Sequence, residues 1–202
     1  MGTLAVGGFV PFTTVDFPGR HAAVVFCRGC PWRCGYCHNA HLQGPDSDLD
    51  SGPDWTAVLA LLEKRRGLLE GVVFSGGEPL LQPALPEAVA RVRGLGYAVG
   101  LHTGGSDPEA FRRVLPDLAW VGFDVKAPWE RYDALTGAPG SGKAARRSLE
   151  HLLAEGIPFQ VRTTVDPTFL QEPDLQRMRA ALTELGIRDW TLQPARPIPA
   201  RP

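Results

Sequence analysis

The chain has 202 residues, and its 21 Lys and Arg against 22 Asp and Glu leave a formal net charge of −1. That balance speaks against an electrostatic platform for nucleic acid or anionic lipid, and 44% hydrophobic residues exclude a disordered chain. Apolar runs such as Ala57–Leu62 fall far short of a membrane span, and no basic residue precedes Arg20 as a signal peptide requires, so a cytoplasmic protein is expected.

Leu4–Gly19 reads as an extended lead-in or hairpin. Strands are then expected at Ala22–Cys27, Val72–Ser75, Ala98–His102, Trp120–Asp124, Phe159–Val165 and Trp190–Gln193, from short β-branched or apolar runs. Between them, helical spacing marks Trp55–Arg65, Pro83–Leu95, Pro108–Leu115, Lys143–Glu155 and Asp174–Leu185. Ser51 or Asp54 suits the N-cap of the first helix, and Gly96, Gly156 and Gly186 follow three of the others. Strand and helix in alternation imply a parallel sheet. Runs such as Ala-Val-Val-Phe suit strands buried on both faces. Six strands fit an open doubly wound sheet or an incomplete (β/α) barrel, since a full barrel takes about 250 residues. One domain over residues 1–202 is expected, with residues 1–20 as lead-in and the Pro-rich tail 194–202 loosely ordered.

The unusual residues fall at or towards the C-terminal ends of those strands. Cysteines follow the first strand and Ser75-Gly76-Gly77-Glu78-Pro79 the second. His102-Thr103-Gly104-Gly105 follows the third, and Asp124-Val125-Lys126 ends the fourth. Arg162-Thr163-Thr164 lies in the fifth, and Gln193 closes the sixth. Parallel α/β folds bind their ligands at that end.

All four cysteines lie between positions 27 and 37. That clustering suits metal binding and not a disulfide framework. Cys30, Cys34 and Cys37 have the spacing C-x3-C-x2-C. Three thiolates can hold three irons of a [4Fe–4S] cluster and leave the fourth iron open for chemistry. A structural zinc site completed by His38 or Cys27 is the alternative, but no second ligand pair exists elsewhere in the chain. Cys27 reads as a core thiol outside the spacing.

The loop, with Tyr36 just before Cys37, resembles the signature C-x3-C-x-aromatic-C of the radical S-adenosylmethionine (SAM) superfamily. Gly76-Gly77-Glu78-Pro79 is similar to that family's Gly-Gly-Glu element. Within the superfamily the chain resembles glycyl-radical activating enzymes. The residues that carry this are Gly8–Gly19, Cys37-His38-Asn39, Asp124-Val-Lys126 and Leu135-Thr136-Gly137. The resemblance implies an α/β fold, a partial (β/α)6 barrel of parallel strands, with one [4Fe–4S] cluster and SAM as cofactors. It implies Cys30, Cys34 and Cys37 as cluster ligands and catalytic centre. It places Tyr36, Gly76, Gly77, Glu78, Thr103, Asp124, Lys126 and Arg162 around SAM. Its implied partners are a glycyl-radical enzyme, above all anaerobic ribonucleotide reductase, and an electron donor such as flavodoxin or ferredoxin. The rival readings are a radical SAM enzyme acting on a small molecule or on another glycyl-radical enzyme, and a zinc-stabilised module with no catalysis.

Individual residues carry further alternatives. An Arg162 buried in an apolar strand must grip an anion such as the SAM carboxylate or form a structural salt bridge. His102 stands where some relatives of this type carry an acid, which casts doubt on a cation site there. Gly140-Ser141-Gly142-Lys143 lacks the full phosphate-loop pattern and follows no strand directly, so no nucleotide site is expected. Lys143, Arg146 and Arg147 read as a solvated helix face, and His21, His41 and His151 as fillers. Trp129–Gly137 is a candidate wall for a lateral opening of the barrel, or a plain crossover.

Overall fold

The computed structural model describes residues 3–44 and 52–196. Strand β1 (Val6–Thr13) runs antiparallel to β2 (Ala22–Cys27), so the lead-in is one arm of a hairpin. Helices and strands then alternate through α1 (Trp55–Lys64), β3 (Gly71–Gly76), α2 (Leu85–Gly94), β4 (Ala98–Thr103), α3 (Pro108–Val114) and β5 (Trp120–Asp124). The chain continues through α4 (Tyr132–Thr136), α5 (Ser141–Glu155), β6 (Phe159–Val165), α6 (Glu172–Glu184) and β7 (Trp190–Pro194). Only α4 has no counterpart in the sequence pattern, because five residues are too few to show a helical period.

Helix ends follow local chemistry. The Asp54 carboxylate accepts the Thr56 N–H at 2.7 Å and caps α1. Ser51, the other candidate cap, lies outside the described residues, as do residues 197–202 of the tail. The start of α5 is occupied by an acid: Asp133 accepts from the Gly140 N–H at 2.7 Å and the Ser141 hydroxyl at 2.9 Å. A carboxylate already seated there leaves no place for a phosphate, in keeping with the incomplete motif. Lys143, Arg146 and Arg147 are exposed on the same helix.

The sheet order is β1-β2-β3-β4-β5-β6-β7, and every pairing after the first is parallel. A doubly wound sheet reverses its order at a switch point. This one never reverses and is open between β1 and β7. It is an α/β fold of the partial (β/α)6 barrel type, with an antiparallel strand added at one edge.

Strand residues alternate between two cores. Ala23, Val25 and Cys27 of β2 pack with the helices, and Cys27 is wholly buried, as a core thiol should be. Ala22 and Val24 face the concave side with Val73, Trp120 and Phe17. Phe17 comes from the link between β1 and β2 and plugs the floor of the arc. Its ring stacks on Trp120 at 5.8 Å and occupies space that glycines vacate: a Cβ on Gly71 would lie 2.7 Å from it. The lead-in therefore supplies a core side chain that the strands cannot.

Removing that plug should be costly. Phe17→Ala empties a site that is 3% exposed, and such truncations typically cost about 3–5 kcal/mol. Thermal unfolding should show a Tm drop larger than that of Phe12→Ala, whose ring is 53% exposed. Equal stability of the two variants would refute the plug.

Candidate active site

At the C-terminal ends of the strands lies a cleft of about 180 Å3. Cys30, Cys34, Tyr36, Cys37, Gly76, Gly77, Glu78, Thr103, Asp124, Lys126 and Arg162 all line it. Every residue expected at the site thus converges on one space. Trp32, Gln43, Gly104 and Thr164 line it as well. Trp32 carried a usable signal in the sequence: a large aromatic inside a tight cysteine loop has no helical or strand period to serve.

The cysteine loop is fixed by backbone at its base. The Gly77 N–H donates to the Cys27 carbonyl at 2.9 Å and the Glu78 N–H to the Gly29 carbonyl at 2.8 Å. A Cβ on Gly77 would overlap that same Gly29 carbonyl, so the end of β3 can approach only as glycine. From the far side, the Gly29 N–H donates to the Leu42 carbonyl at 2.7 Å. The Asn39 side-chain amide donates to the Gly76 carbonyl at 3.1 Å.

Glu78 is 2% exposed, and its carboxylate is engaged within the protein. Oε1 accepts from the Thr103 hydroxyl at 2.6 Å and the Leu80 N–H at 3.2 Å; Oε2 accepts from the Gly104 N–H at 3.0 Å. Burial raises its pKa, and these three bonds pull it back. Thr103 in turn accepts from the Gly105 N–H at 2.9 Å. Glu78 and Thr103 therefore tie β3 to β4 before any ligand arrives. Gly104 leaves room for Trp32, whose ring a Cβ there would overlap.

The opposite wall is ionic. Arg162 directs Nε and Nη2 to Asp124 Oδ1 at 3.1 and 3.0 Å, which realises the salt-bridge alternative for this arginine. Burial is the largest single effect and works against the Asp124 charge, but Arg162, Lys126 and His102 together hold the carboxyl below its usual range. Lys126 Nζ stands 3.8 Å from Asp124 Oδ2 and 5.7 Å over the centre of the Trp32 ring. His102 on the floor meets the Asp16 carbonyl through Nε2 at 2.9 Å. A carbonyl only accepts, so Nε2 bears the proton. Burial first, then Arg162, lowers His102 to about 4 and keeps it neutral.

Trp129–Gly137 does not line the cleft. Tyr132 is wholly buried, donates to the Asp124 carbonyl at 3.4 Å and accepts the Lys126 N–H at 2.9 Å. The Thr136 carbonyl accepts the Arg33 N–H at 2.6 Å, so α4 braces the outer side of the cysteine loop. Asp174 binds both Arg131 and Arg177 and anchors the turn before α4 to the start of α6. The expected wall is a buttress.

The donor set fits an iron–sulfur cluster and a polar ligand. Three thiols share one cleft, and burial, with help from Glu78, pushes Cys30 up to about 12. Beside the thiols, the Tyr36 hydroxyl is buried without a partner among the described residues.

Comparison with known proteins agrees. The family model of the radical SAM superfamily matches residues 24–178, and the chain belongs to that superfamily. It is thus a radical SAM enzyme, with a [4Fe–4S] cluster and SAM as cofactors. A protein of Methanocaldococcus jannaschii named for glycyl-radical enzyme activation is 25% identical, over 90% of this chain and 77% of its own. The pyruvate formate-lyase-activating enzyme of Clostridium pasteurianum is 30% identical, over 76% of this chain and 65% of its own. A 7-carboxy-7-deazaguanine synthase of Methanopyrus kandleri is 31% identical, over 89% and 75%. Among solved structures, native anSMEcpe with bound AdoMet superposes with a TM-score of 0.66 at 15% identity. That match covers 83% of this chain, which spans about half of the larger protein (49%).

Two outcomes test this geometry. Gly77→Ala should lower Tm sharply and reduce the iron retained on reconstitution, because the methyl group must displace the base of the cysteine loop. Gly35→Ala, in open space on the same loop, is the control. The second concerns Asp174, which hydrogen bonding from Arg131 brings down to about 2 against the opposing effect of burial. An unfolded aspartate titrates near about 3.9. The Asp174 contribution is therefore complete above that value and lost as pH falls through about 2. In unfolding titrations the stability gap between wild type and Asp174→Asn should stay level near neutrality and close across that acid window. A gap that does not change with pH would refute it.

Proposed function

We propose that this enzyme activates a glycyl-radical protein, the best-fitting partner being an anaerobic ribonucleotide reductase. The observation that carries the reading is the open flank of the barrel. Sheet order ends at β7 without closing on β1, and Leu192, Gln193 and Pro194 of β7 are exposed. A cleft reached past a free strand suits a substrate that brings its own cover, such as a loop of a protein. The two activating-enzyme relatives and the Cys37-His38-Asn39 sequence support the same class. An electron from a flavodoxin- or ferredoxin-type donor completes the scheme.

In this reading Cys30, Cys34 and Cys37 hold the cluster, and Cys27 stays in the core. When bound, the cluster and SAM supply reductive cleavage of a sulfonium C–S bond and a 5′-deoxyadenosyl radical able to take a glycine Cα hydrogen. The protein's own groups bind, orient and exclude water. Lys126 offers an ammonium to the carboxylate end of SAM. Gly76 and Gly77 present backbone with no side chain in the way. Glu78 and Thr103 act as positioning residues, since their side-chain bonds already join β3 to β4. Arg162 positions Asp124 in the same manner, leaving Asp124 Oδ2 free to accept from a ribose hydroxyl.

The match to the 7-carboxy-7-deazaguanine synthase, over most of both chains, favours a small-molecule substrate as second reading. One experiment separates them. The reduced protein and SAM are mixed with the anaerobic ribonucleotide reductase of the same organism. Electron paramagnetic resonance should show a glycyl doublet, with 5′-deoxyadenosine formed in proportion. SAM turnover without any protein radical, on that reductase or on other glycyl-radical enzymes, would overturn the activase reading. Cluster stoichiometry has its own test: Cys34→Ala should lose the cluster and SAM cleavage, while Cys27→Ala keeps both. Equal loss of iron in the two variants would refute three-cysteine ligation.

A further inference from the structure

The cysteine loop has two faces. Trp32, Cys34 and Tyr36 are buried and line the cleft, while the alternate residues Pro31, Arg33 and Gly35 are exposed. Arg33 supplies the charge of the outer face. Its Nη1 donates to the carbonyls of Cys30 and Trp32 at 2.6 and 2.9 Å, so the head group is pinned across the backbone of a cysteine expected to hold the cluster. The other guanidinium nitrogens have no partner among the described residues. The acids of the α4 segment behind the loop are committed elsewhere, Asp133 to the start of α5 and Glu130 to Arg177. No Asp or Glu occurs in residues 17–45, although the whole chain stands at −1. The outer face of the loop is a local exception to that balance.

Exposed arginines are common, and most are simply solvated. This one is fixed. Two bonds hold its head group in one orientation, so meeting a carboxylate costs little further side-chain entropy. The planar fork suits a carboxylate, and only one of its nitrogens is spent on the loop. With SAM in the cleft and a substrate entering past β7, the outer face of the loop is the approach left to an electron donor. We infer that this face, with Arg33 as its fixed point, docks an electron-carrier protein through an acidic surface of the carrier. This rests on the reading that a protein donor feeds the cluster, and adds where that donor binds. The carrier gives up one electron, which takes the cluster from its oxidised to its reduced state; no bond forms or breaks. Redox encounters of this kind bury little surface, and complementary charge sets their rate more than their affinity.

The test follows reduction of the reconstituted protein by stopped-flow bleaching of the cluster's visible absorbance, without SAM. The donors are reduced flavodoxin, reduced ferredoxin and reduced methyl viologen, a small cation that needs no acidic docking face. With whichever carrier reduces the wild type faster, Arg33→Glu should slow the second-order step about tenfold at low salt, and the gap should close as salt screens the pair. Methyl viologen should reduce the variant at least as fast as the wild type. A second readout needs no electron flow. A carbodiimide joins carboxylates to lysine amines in direct contact, so Arg33→Lys mixed with the carrier should give a cross-link that maps to position 33. An unchanged carrier rate in Arg33→Glu would overturn the site. Equal slowing by methyl viologen would overturn it too, because the arginine would then act on the loop or on the cluster itself. Absence of the cross-link at position 33 would also overturn it, and decides alone where Arg33→Glu fails to hold a cluster. A wild type reduced by methyl viologen but by neither carrier would overturn the protein-donor reading, and the site with it.

Discussion

The Gly29 carbonyl oxygen occupies the place a side chain on Gly77 would need. Because that side chain is absent, the end of β3 lies close enough for Gly77 and Glu78 to donate their N–H groups to the carbonyls of Cys27 and Gly29. The next residue then turns inward, and Glu78 bonds Thr103 and Gly104 at the end of β4. Gly104 in turn has no Cβ, so Trp32 of the cysteine loop can lie against it. The contacts close a ring: loop to β3, β3 to β4, β4 back to loop. Two glycine-dependent approaches and one buried carboxylate hold the sulfur donors in place.

That ring also explains how the Glu78 carboxyl can be buried. Desolvation of a lone carboxylate is prohibitive; three donors at hydrogen-bond distance offset part of it, and burial still leaves the pKa raised. The carboxylate serves as an interior cross-link between two strand ends. The outer side of the loop is held independently, by α4 through the Arg33 N–H and by the Arg131–Asp174–Arg177 group behind it.

Much of this was legible in the sequence. Strand ends, the three spaced cysteines and the Gly-Gly-Glu element depend on short-range patterns, and all of them meet in one cleft. What escaped were features set by long-range pairing. That β1 joins the sheet depends on register with β2, a hairpin whose bulges blur any alternation. The partners of Arg162 and Glu78 lie 38 and 25 residues away, so neither commitment has a local signature. Helix α4 is too short to show a period, and its role comes from a backbone carbonyl, which no residue type advertises. Phe17 looked like part of a lead-in because its cavity is made by glycines on other strands.

The charges of the cleft give it a further property. Asp124 is acidic, Arg162 and Lys126 are basic, and the three line the same space, so part of the fixed charge there cancels. Cancellation is unequal in geometry: Arg162 sits on Asp124 at 3.0 Å, while Lys126 stands off at 3.8 Å. A ligand whose ammonium and carboxylate travel together adds no net charge from that pair, and so avoids the cost of an uncompensated buried charge. The loosely held lysine is the one member of the set able to change partners cheaply, because it exchanges a distant ion pair for a direct hydrogen bond.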